Sequence, residues 1–218
     1  MTAFIFDMDG TVVDNMACHN QVWIEYLTEL GGSPDPATFY QKSAGKTNSE
    51  ILRMYLGQDL SDASAARYSE EKEIRYRARY KDAILPVNGV EAFLHAAKRA
   101  GVRLALATSA GRKNIAFVLD GLQLNGVFDA IVSAEDVTRG KPDPQGFLLA
   151  AQRVGVEPAE CTVFEDSHKG IEAGRRAGMA VIAILSGMDA EEANGLPGVT
   201  RSARDFTQIL DLIPAPAR

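Results

Sequence analysis

Short apolar runs without a polar interruption recur along the chain. The first, Ala3–Phe6, stops at Asp7. A run of this length without alternation is typical of a strand that is buried on both faces of a parallel sheet. Most of the runs are separated by stretches with helical spacing, and this alternation predicts an α/β fold with a doubly wound parallel sheet. The other predicted strands are 103–107, 130–132, 161–164 and 180–184.

Helical spacing marks several segments between these strands. Residues 90–100 repeat apolar side chains at the i, i+3, i+4 and i+7 positions that form one buried helix face. Asp143 and Pro144 are typical of an N-cap and a first helical position, and Gly155 ends the apolar stripe that follows. The same pattern predicts a helix over 171–177.

Residues 15–84 interrupt this alternation with three helical segments and no convincing strand. The chain returns to the strand pattern at Pro86. A long insertion directly after the first strand lies over that strand's carboxyl end, where α/β sheets bind ligands. We therefore predict a catalytic core, 1–14 and 86–218, and a helical cap domain, 15–85, that acts as a lid. The predicted cap helices are 17–30, 49–56 and 62–80, with Ser49 and Ser61 as N-caps of the second and the third.

Charge and cysteine content narrow the possible partners. The net charge of -6 gives no global positive field that would gather nucleic acid or an anionic membrane surface, so a phosphate-bearing substrate needs a local cation. Cys18 and Cys161 lie far apart without metal-ligand spacing, which suits a reducing compartment. The first apolar run is too short for a signal or membrane segment. We expect a cytoplasmic monomer without nucleic-acid or membrane partners.

Polar residues follow the predicted strands at the ends that a parallel sheet brings together. Asp7 and Asp9 come after the first strand, and Glu165 and Asp166 after the fourth. Clustered carboxylates repel one another unless a cation lies between them, and oxygen donors are those that Mg²⁺ prefers. We therefore assign a Mg²⁺ site to Asp7, Asp9 and Asp166, with carboxylate and main-chain carbonyl donors. The remaining polar residues at these strand ends are Thr108, Ser109 and Lys141.

A carboxylate held beside a metal can attack phosphorus and form an aspartyl-phosphate. Asp7, at the tip of the first strand, is the predicted nucleophile, and Lys141 would offset charge on the transferring phosphoryl group. The carboxyl of Asp9, outside direct metal coordination, is placed to protonate the leaving alkoxide and to deprotonate the attacking water. Glu165 would either orient metal-bound water from outside the ligand set or pair with Lys141, and the sequence leaves both open.

Main-chain N–H groups near the first and second strands are candidate phosphate donors. Gly10 permits a tight turn, and successive N–H groups from Met8 to Thr11, with those near Ser109, could cradle a phosphoryl group. The Thr108 hydroxyl could donate to the same group. These residues complete the predicted phosphate site in the core.

The segment Asp7-Met8-Asp9-Gly10-Thr11 resembles the signature motif of the haloacid dehalogenase-like superfamily of phosphohydrolases. The resemblance implies a Rossmann-like core, a helical cap between this motif and residue 86, Mg²⁺ and a phosphoenzyme on Asp7. Asp9 implies a phosphatase or a phosphomutase, because the dehalogenase and phosphonatase branches lack an aspartate at that position. The resemblance continues in order along nearly the whole chain with Thr108-Ser109, Gly140-Lys141-Pro142-Asp143-Pro144, and Phe164-Glu165-Asp166-Ser167 through Gly170.

Within the superfamily, the cap resembles the β-phosphoglucomutase-like branch. Asn48 stands where the mutase has an arginine that holds a second phosphate, and a neutral amide there favours a phosphatase. A single histidine on a helix, such as His19, is more often a structural residue. Lys46 is equally consistent with an exposed lysine that has no binding role. Lys46 is polar where the mutase has an apolar residue, and it could bind a substrate phosphate or hydroxyl from the cap side. The resemblance rests on His19, Trp23, Gly45-Lys46-Thr47 and Lys72, and the candidate substrate contacts are His19, Lys46, Thr47, Asn48 and Lys72.

These observations favour a phosphoric monoester hydrolase that acts on a small phosphorylated metabolite, a sugar or polyol phosphate, with phosphomutase activity as the alternative. A receiver-type phosphoacceptor shares the acidic pair, hydroxyl and lysine on a doubly wound fold. It needs neither an insertion of about 70 residues nor Asp9. A scaffold with a dead site is disfavoured because every chemical position carries a competent residue.

Overall fold

The computed structural model describes residues 2–43 and 46–215. The chain divides into two compact units. The core unit comprises Met1–Asp14 and Ile84–Arg218, and the cap unit comprises Asn15–Ala83. The second junction, between residues 83 and 84, lies two residues before the boundary expected from the sequence.

A parallel sheet of six strands forms the centre of the core unit, which confirms the predicted doubly wound α/β fold. The strands are β1 Ala3–Phe6, β2 Arg103–Ala107, β3 Ala130–Val132, β4 Cys161–Glu165, β5 Ala180–Ile184 and β6 Val199–Ala203. Their order is β3-β2-β1-β4-β5-β6, so β1 lies between β2 and β4. The sequence does not predict β6, because this partly exposed edge strand carries Thr, Arg and Ser instead of an apolar run.

Helices make up the described elements of the cap unit. They are α1 Met16–Glu29, α2 Phe39–Ser43, α3 Asn48–Leu56 and α4 Asp62–Tyr80. The five-residue α2 has too few turns to give a periodic signal and was not predicted. The predicted N-cap Ser49 is wrong, because the extended residue Thr47 caps α3: its side chain accepts the Glu50 N–H while Glu50 accepts the Thr47 N–H. The predicted cap Ser61 is confirmed.

The helices of the core unit surround the sheet. They are α5 Val90–Arg99, α6 Arg112–Gly121, α7 Gln145–Val154, α8 His168–Arg176 and α9 Ala190–Gly195. The sequence does not predict α6 or the short, polar α9. Helix α7 begins after Pro144, where Asp143 Oδ1 accepts the Gln145 N–H at 3.0 Å. Helix α8 begins three residues before its predicted start, because Ser167 caps it. Short 3₁₀ turns lie at Ala134–Asp136, Pro158–Glu160, Phe206–Gln208 and Leu210–Leu212.

Aromatic packing fixes the adjacent ends of β1 and β4. Phe6 pairs with Phe164 in the strand register, and their rings stack with centroids 4.6 Å apart. The Asp7 N–H then donates to the Phe164 carbonyl at 3.0 Å. Because the two strands end side by side, Asp7 and Glu165 leave the sheet as neighbours.

Candidate active site

A partly buried lysine links the carboxylates at the ends of β1 and β4. Lys141 Nζ lies 2.5 Å from Asp7 Oδ1 and 2.7 Å from Glu165 Oε1. It also lies 4.8 Å from the centre of the Phe147 ring on α7, a cation–π contact that helps to hold the ammonium group in place. The sequence left open whether Glu165 pairs with Lys141, and the structure shows this pair.

Asp166 adds a third carboxylate to this group. Ligand oxygens of Asp7, Glu165 and Asp166 all lie within 4.8 Å of one another, and all three residues are buried. Burial raises the pKa of Asp7 to about 7; Lys141 opposes this rise, while Glu165 and Asp9 add to it. Burial likewise raises the pKa of Asp166 well above its usual range, with Glu165 and Asp7 adding to the rise. The geometry therefore concentrates more negative charge than one lysine balances.

The donor chemistry of this group fits a hard divalent cation. Each of Asp7, Glu165 and Asp166 offers carboxylate oxygen, and the group contains no His or Cys that would favour zinc. A cation between the carboxylates would relieve the repulsion that burial imposes on them. The expected ligand set named Asp9 and placed Glu165 outside it, whereas the geometry groups Glu165 with the two strand-end aspartates. The assignment of Asp9 to the metal remains a prediction.

Asp9 lies in a tight turn that follows Asp7. Gly10 adopts a left-handed backbone (φ 80°), which glycine tolerates without strain. The Met8 carbonyl accepts the Thr11 N–H at 3.3 Å, and the Gly10 N–H donates to the Val13 carbonyl at 2.9 Å. Two of the N–H groups predicted to cradle phosphate therefore donate within the turn. Thr11 is fully buried, and among the described residues its hydroxyl has no hydrogen-bond partner.

The end of β2 carries the predicted hydroxyl donors. Thr108 is buried, its N–H donates to the Val132 carbonyl at 3.0 Å, and its Oγ1 accepts the Ala110 N–H at 3.0 Å. The hydroxyl therefore keeps its own proton for donation to another acceptor. Ser109 is exposed. Since β2 lies beside β1, both residues leave the sheet at the same edge as Asp7.

Within the cap unit, a partly buried polar cluster joins three of the predicted substrate-contacting residues. Lys72 Nζ lies 2.7 Å from His19 Nδ1 and 2.9 Å from Glu73 Oε1. Asn48 Nδ2 donates to the same Glu73 oxygen at 2.8 Å. The His19 ring stacks on Tyr76 at 3.8 Å. Glu73 thus connects residues from α3 and α4, a role the sequence analysis missed because neighbours in a helix do not ordinarily share a face.

The other predicted cap residues lie at the start of α3. The Thr47 side chain forms the helix cap, so its hydroxyl has a structural role. Lys46 is partly exposed, and its N–H donates to the Ser43 carbonyl at 2.9 Å. Gly45, used for the branch resemblance, lies outside the described residues.

A parallel sheet with buried carboxylates and a lysine at the carboxyl ends of its strands is the arrangement of an α/β phosphoryl-transfer enzyme. The family model of the haloacid dehalogenase-like hydrolases matches residues 1–178. Hexitol phosphatase A from Escherichia coli is 32% identical over 94% of this chain and 92% of its own length. Fructose-1-phosphate phosphatase YqaB from the same organism is 33% identical over 82% of this chain and 93% of its own.

The structural comparison agrees with these relatives. The crystal structure of β-phosphoglucomutase from Clostridium difficile superposes with a TM-score of 0.82 at 26% identity, covering 96% of this chain and 93% of that one. The chain therefore belongs to the haloacid dehalogenase-like hydrolase family. The predicted enzyme class, a phosphoric monoester hydrolase, and the likeness to the β-phosphoglucomutase-like branch are confirmed. Among the described residues, no helix has the length and apolarity needed to span a membrane.

Proposed function

We propose that this chain is a magnesium-dependent phosphatase that hydrolyses small sugar or polyol phosphates through an aspartyl-phosphate on Asp7. The observation that carries the proposal is the contact of Asp7 Oδ1 with Lys141 Nζ, 2.5 Å long, beside the buried Glu165 and Asp166. The names of the two Escherichia coli relatives support the substrate class.

The nucleophile is the Asp7 carboxylate. It attacks the phosphorus of the monoester, an oxygen–phosphorus bond forms, and the bond to the leaving oxygen breaks. Asp9 gives its proton to that oxygen, so the product leaves as a neutral alcohol. Lys141 and the hydroxyl of Thr108 face the added negative charge of the phosphoryl oxygens in the transition state.

The second step regenerates the enzyme. Asp9, now a carboxylate, takes a proton from water, and the water oxygen attacks the phosphorus of the aspartyl-phosphate. The bond to Asp7 breaks, and inorganic phosphate leaves. The residues of this proposal that would hold Mg²⁺ are Asp7 and Asp166, with the main-chain carbonyl of Asp9 and the carboxylate of Glu165 as further oxygen donors. When bound, Mg²⁺ supplies positive charge that keeps Asp7 ionised and draws electron density from phosphoryl oxygens.

Substrate selection is assigned to the cap unit, through His19, Lys46, Thr47, Asn48 and Lys72. Asn48 donates to Glu73, so the position of the mutase arginine is next to a carboxylate. Asn48 lacks the positive charge that an arginine would offer to a second phosphate group, which supports monophosphates over bisphosphates as substrates. We further propose that the enzyme works as a cytoplasmic monomer on small phosphorylated metabolites.

Phosphomutase activity is the second candidate, because the β-phosphoglucomutase structure superposes over 96% of this chain. The deciding experiment measures phosphate release from a panel of sugar and polyol phosphates with Mg²⁺ or EDTA. NMR then follows β-glucose 1-phosphate with catalytic glucose 1,6-bisphosphate added. Release of phosphate without isomerisation supports the phosphatase, with the substrate class named by the panel. Glucose 6-phosphate formed without phosphate release would establish the mutase instead.

A further inference from the structure

The carboxylate of Glu165 is held by donors at both of its oxygens. Oε1 accepts from Lys141 Nζ at 2.7 Å. Oε2 accepts from the Ser167 N–H at 2.7 Å and from the Ser167 hydroxyl at 2.9 Å. The residue is only 1% exposed, so water does not compete for these oxygens. Both the direction and the plane of the carboxylate are therefore set by neighbouring groups.

Gly170, in the first turn of α8, lies where this carboxylate must pass. A Cβ at position 170 would lie 1.7 Å from Glu165 Oε1 and 1.8 Å from its Cδ, well inside van der Waals contact. The Gly170 N–H also donates to the Ser167 hydroxyl at 3.2 Å, and that hydroxyl donates to Glu165. The Ser167 hydroxyl thus connects the first turn of α8 to the Glu165 carboxylate.

Nothing in the backbone conformation of this position requires a glycine. Gly170 is absent from the described residues with positive φ, and alanine in a helix is favoured over glycine by about 1 kcal/mol. What glycine provides here is space. The side chain that would fill this space is the end of a flexible glutamate, so a larger residue would displace the carboxylate without disturbing the sheet.

We propose that Gly170 is a positioning residue, and that its missing side chain makes the space in which the Glu165 carboxylate is held against Lys141 and beside Asp7 and Asp166. This inference rests on the proposed function, since the arrangement it preserves is the acidic group assigned to Mg²⁺. Gly170→Ala moves the carboxylate away from Lys141 and from the other two acids. The change weakens Mg²⁺ binding and lowers kcat, whereas KM for the substrate changes little.

The matched control is Gly174→Ala, one turn further along α8. A Cβ there would lie 2.8 Å from Val181 Cγ2, so this variant is also crowded, but by an apolar side chain. If crowding of the helix against its neighbours were the whole effect, both variants would lose thermal stability and neither would lose Mg²⁺ affinity. A selective loss of affinity in Gly170→Ala separates positioning from packing.

A double-mutant cycle with Glu165→Asp tests the cause. Aspartate is one methylene shorter, so its carboxylate does not reach the space that a methyl group at position 170 would fill. We expect Gly170→Ala to raise the Mg²⁺ dissociation constant, measured by isothermal titration calorimetry, at least tenfold in the wild-type background. In the Glu165→Asp background the further change should be less than about twofold, because the steric overlap has been removed.

Equal penalties in the two backgrounds, or an equal loss of Mg²⁺ affinity in Gly174→Ala, would overturn the inference. If Gly170→Ala does not fold, recovery of a cooperative thermal transition in Glu165→Asp/Gly170→Ala supports it, and unfolding of both variants contradicts it. Calorimetry needs no turnover, so the cycle can succeed even if the wild type releases no phosphate. A wild type without phosphate release would contradict the proposed function alone. A wild type that binds no Mg²⁺ would contradict both the proposed function and the inference about Gly170.

Discussion

The hydroxyl of Ser186 donates a hydrogen bond of 2.5 Å to the main-chain carbonyl of Gly10. Ser186 lies in the loop after β5, two strands away from β1 in the sheet, and it follows the last of the four recognised motifs. The bond connects this loop to the turn that carries Asp9. A loop far from the nucleophile in sequence therefore contributes to the position of the predicted acid and base.

Ser186→Ala should lower kcat about three- to tenfold, because the turn carrying Asp9 gains freedom and proton transfer depends on its placement. The free energy of unfolding should fall by about 1 kcal/mol, as for one neutral hydrogen bond. Phosphate release and thermal melts measure the two effects. The control is Ser69→Ala, which removes a hydroxyl–carbonyl bond to Ala65 inside α4. An equal loss of kcat in both variants would show that Ser186 has no positioning role.

Asp7→Asn should reduce turnover by at least about a thousandfold, since an amide is a poor nucleophile at phosphorus. Stability should not fall, because the substitution removes one charge from a buried group with excess negative charge. Asp9→Asn should keep the phosphoenzyme chemistry possible but slow both its formation and its hydrolysis. Rapid-quench measurement with a labelled substrate distinguishes the two variants. Asp7→Asn with most of its activity intact would contradict the nucleophile assignment.

Acid sensitivity of the cap unit should depend on Glu73. Burial would raise the pKa of Glu73, but Lys72, His19 and the Asn48 hydrogen bond outweigh it and lower the pKa below its ordinary value. A group whose pKa is lowered by folding stabilises the fold above its unfolded pKa, and this stability is lost as the pH falls through the folded pKa. Glu73→Gln should therefore melt at a lower temperature at pH 7 and show a smaller further decrease towards pH 3.

The matched control for that series is Glu29→Gln. Glu29 pairs with Arg75 at 2.7 Å, but both side chains are about half exposed, so the pair contributes little. Thermal melts of the wild type and both variants between pH 7 and pH 3 give the slope of melting temperature against pH for each protein. A wild-type slope that Glu73→Gln leaves unchanged would show that Glu73 does not control this transition.

The sheet and most of the strand-end chemistry could be predicted from the sequence. Five of the strands are mainly apolar, because most of the side chains of β1, β2, β4 and β5 are buried, and the carboxyl ends of parallel strands must share one edge. The sequence therefore predicts that Asp7, Lys141 and Asp166 meet at this edge. The edge strand β6 lacked such a signal, because its side chains are only partly buried.

The contacts that orient the site could not be predicted in the same way. Glu73 meets Asn48 across two helices, and Ser186 meets Gly10 across 176 positions of sequence. Such pairs depend on how loops and helices pack, and neither Glu73 nor Ser186 has a periodic or motif signal. The space at Gly170 is similar, because a glycine in a helix pattern shows only a missing side chain and not the neighbour that uses the space.

Lys141→Met leaves Asp7 and Glu165 buried without their shared cation. We expect the free energy of unfolding in EDTA at pH 7.5 to fall by about 3 kcal/mol, as for removal of one partner from a buried ion pair. Added Mg²⁺ should recover part of this loss, because a cation among the carboxylates relieves the same repulsion. The kcat should fall at least about a hundredfold, since the positive charge that faces the transferring phosphoryl group is gone.

Lys141→Arg, which keeps the charge, should lose less stability, and denaturant unfolding of both variants with and without Mg²⁺ makes the comparison. A Lys141→Met protein as stable as the wild type in EDTA would show that the lysine does not compensate the acidic group.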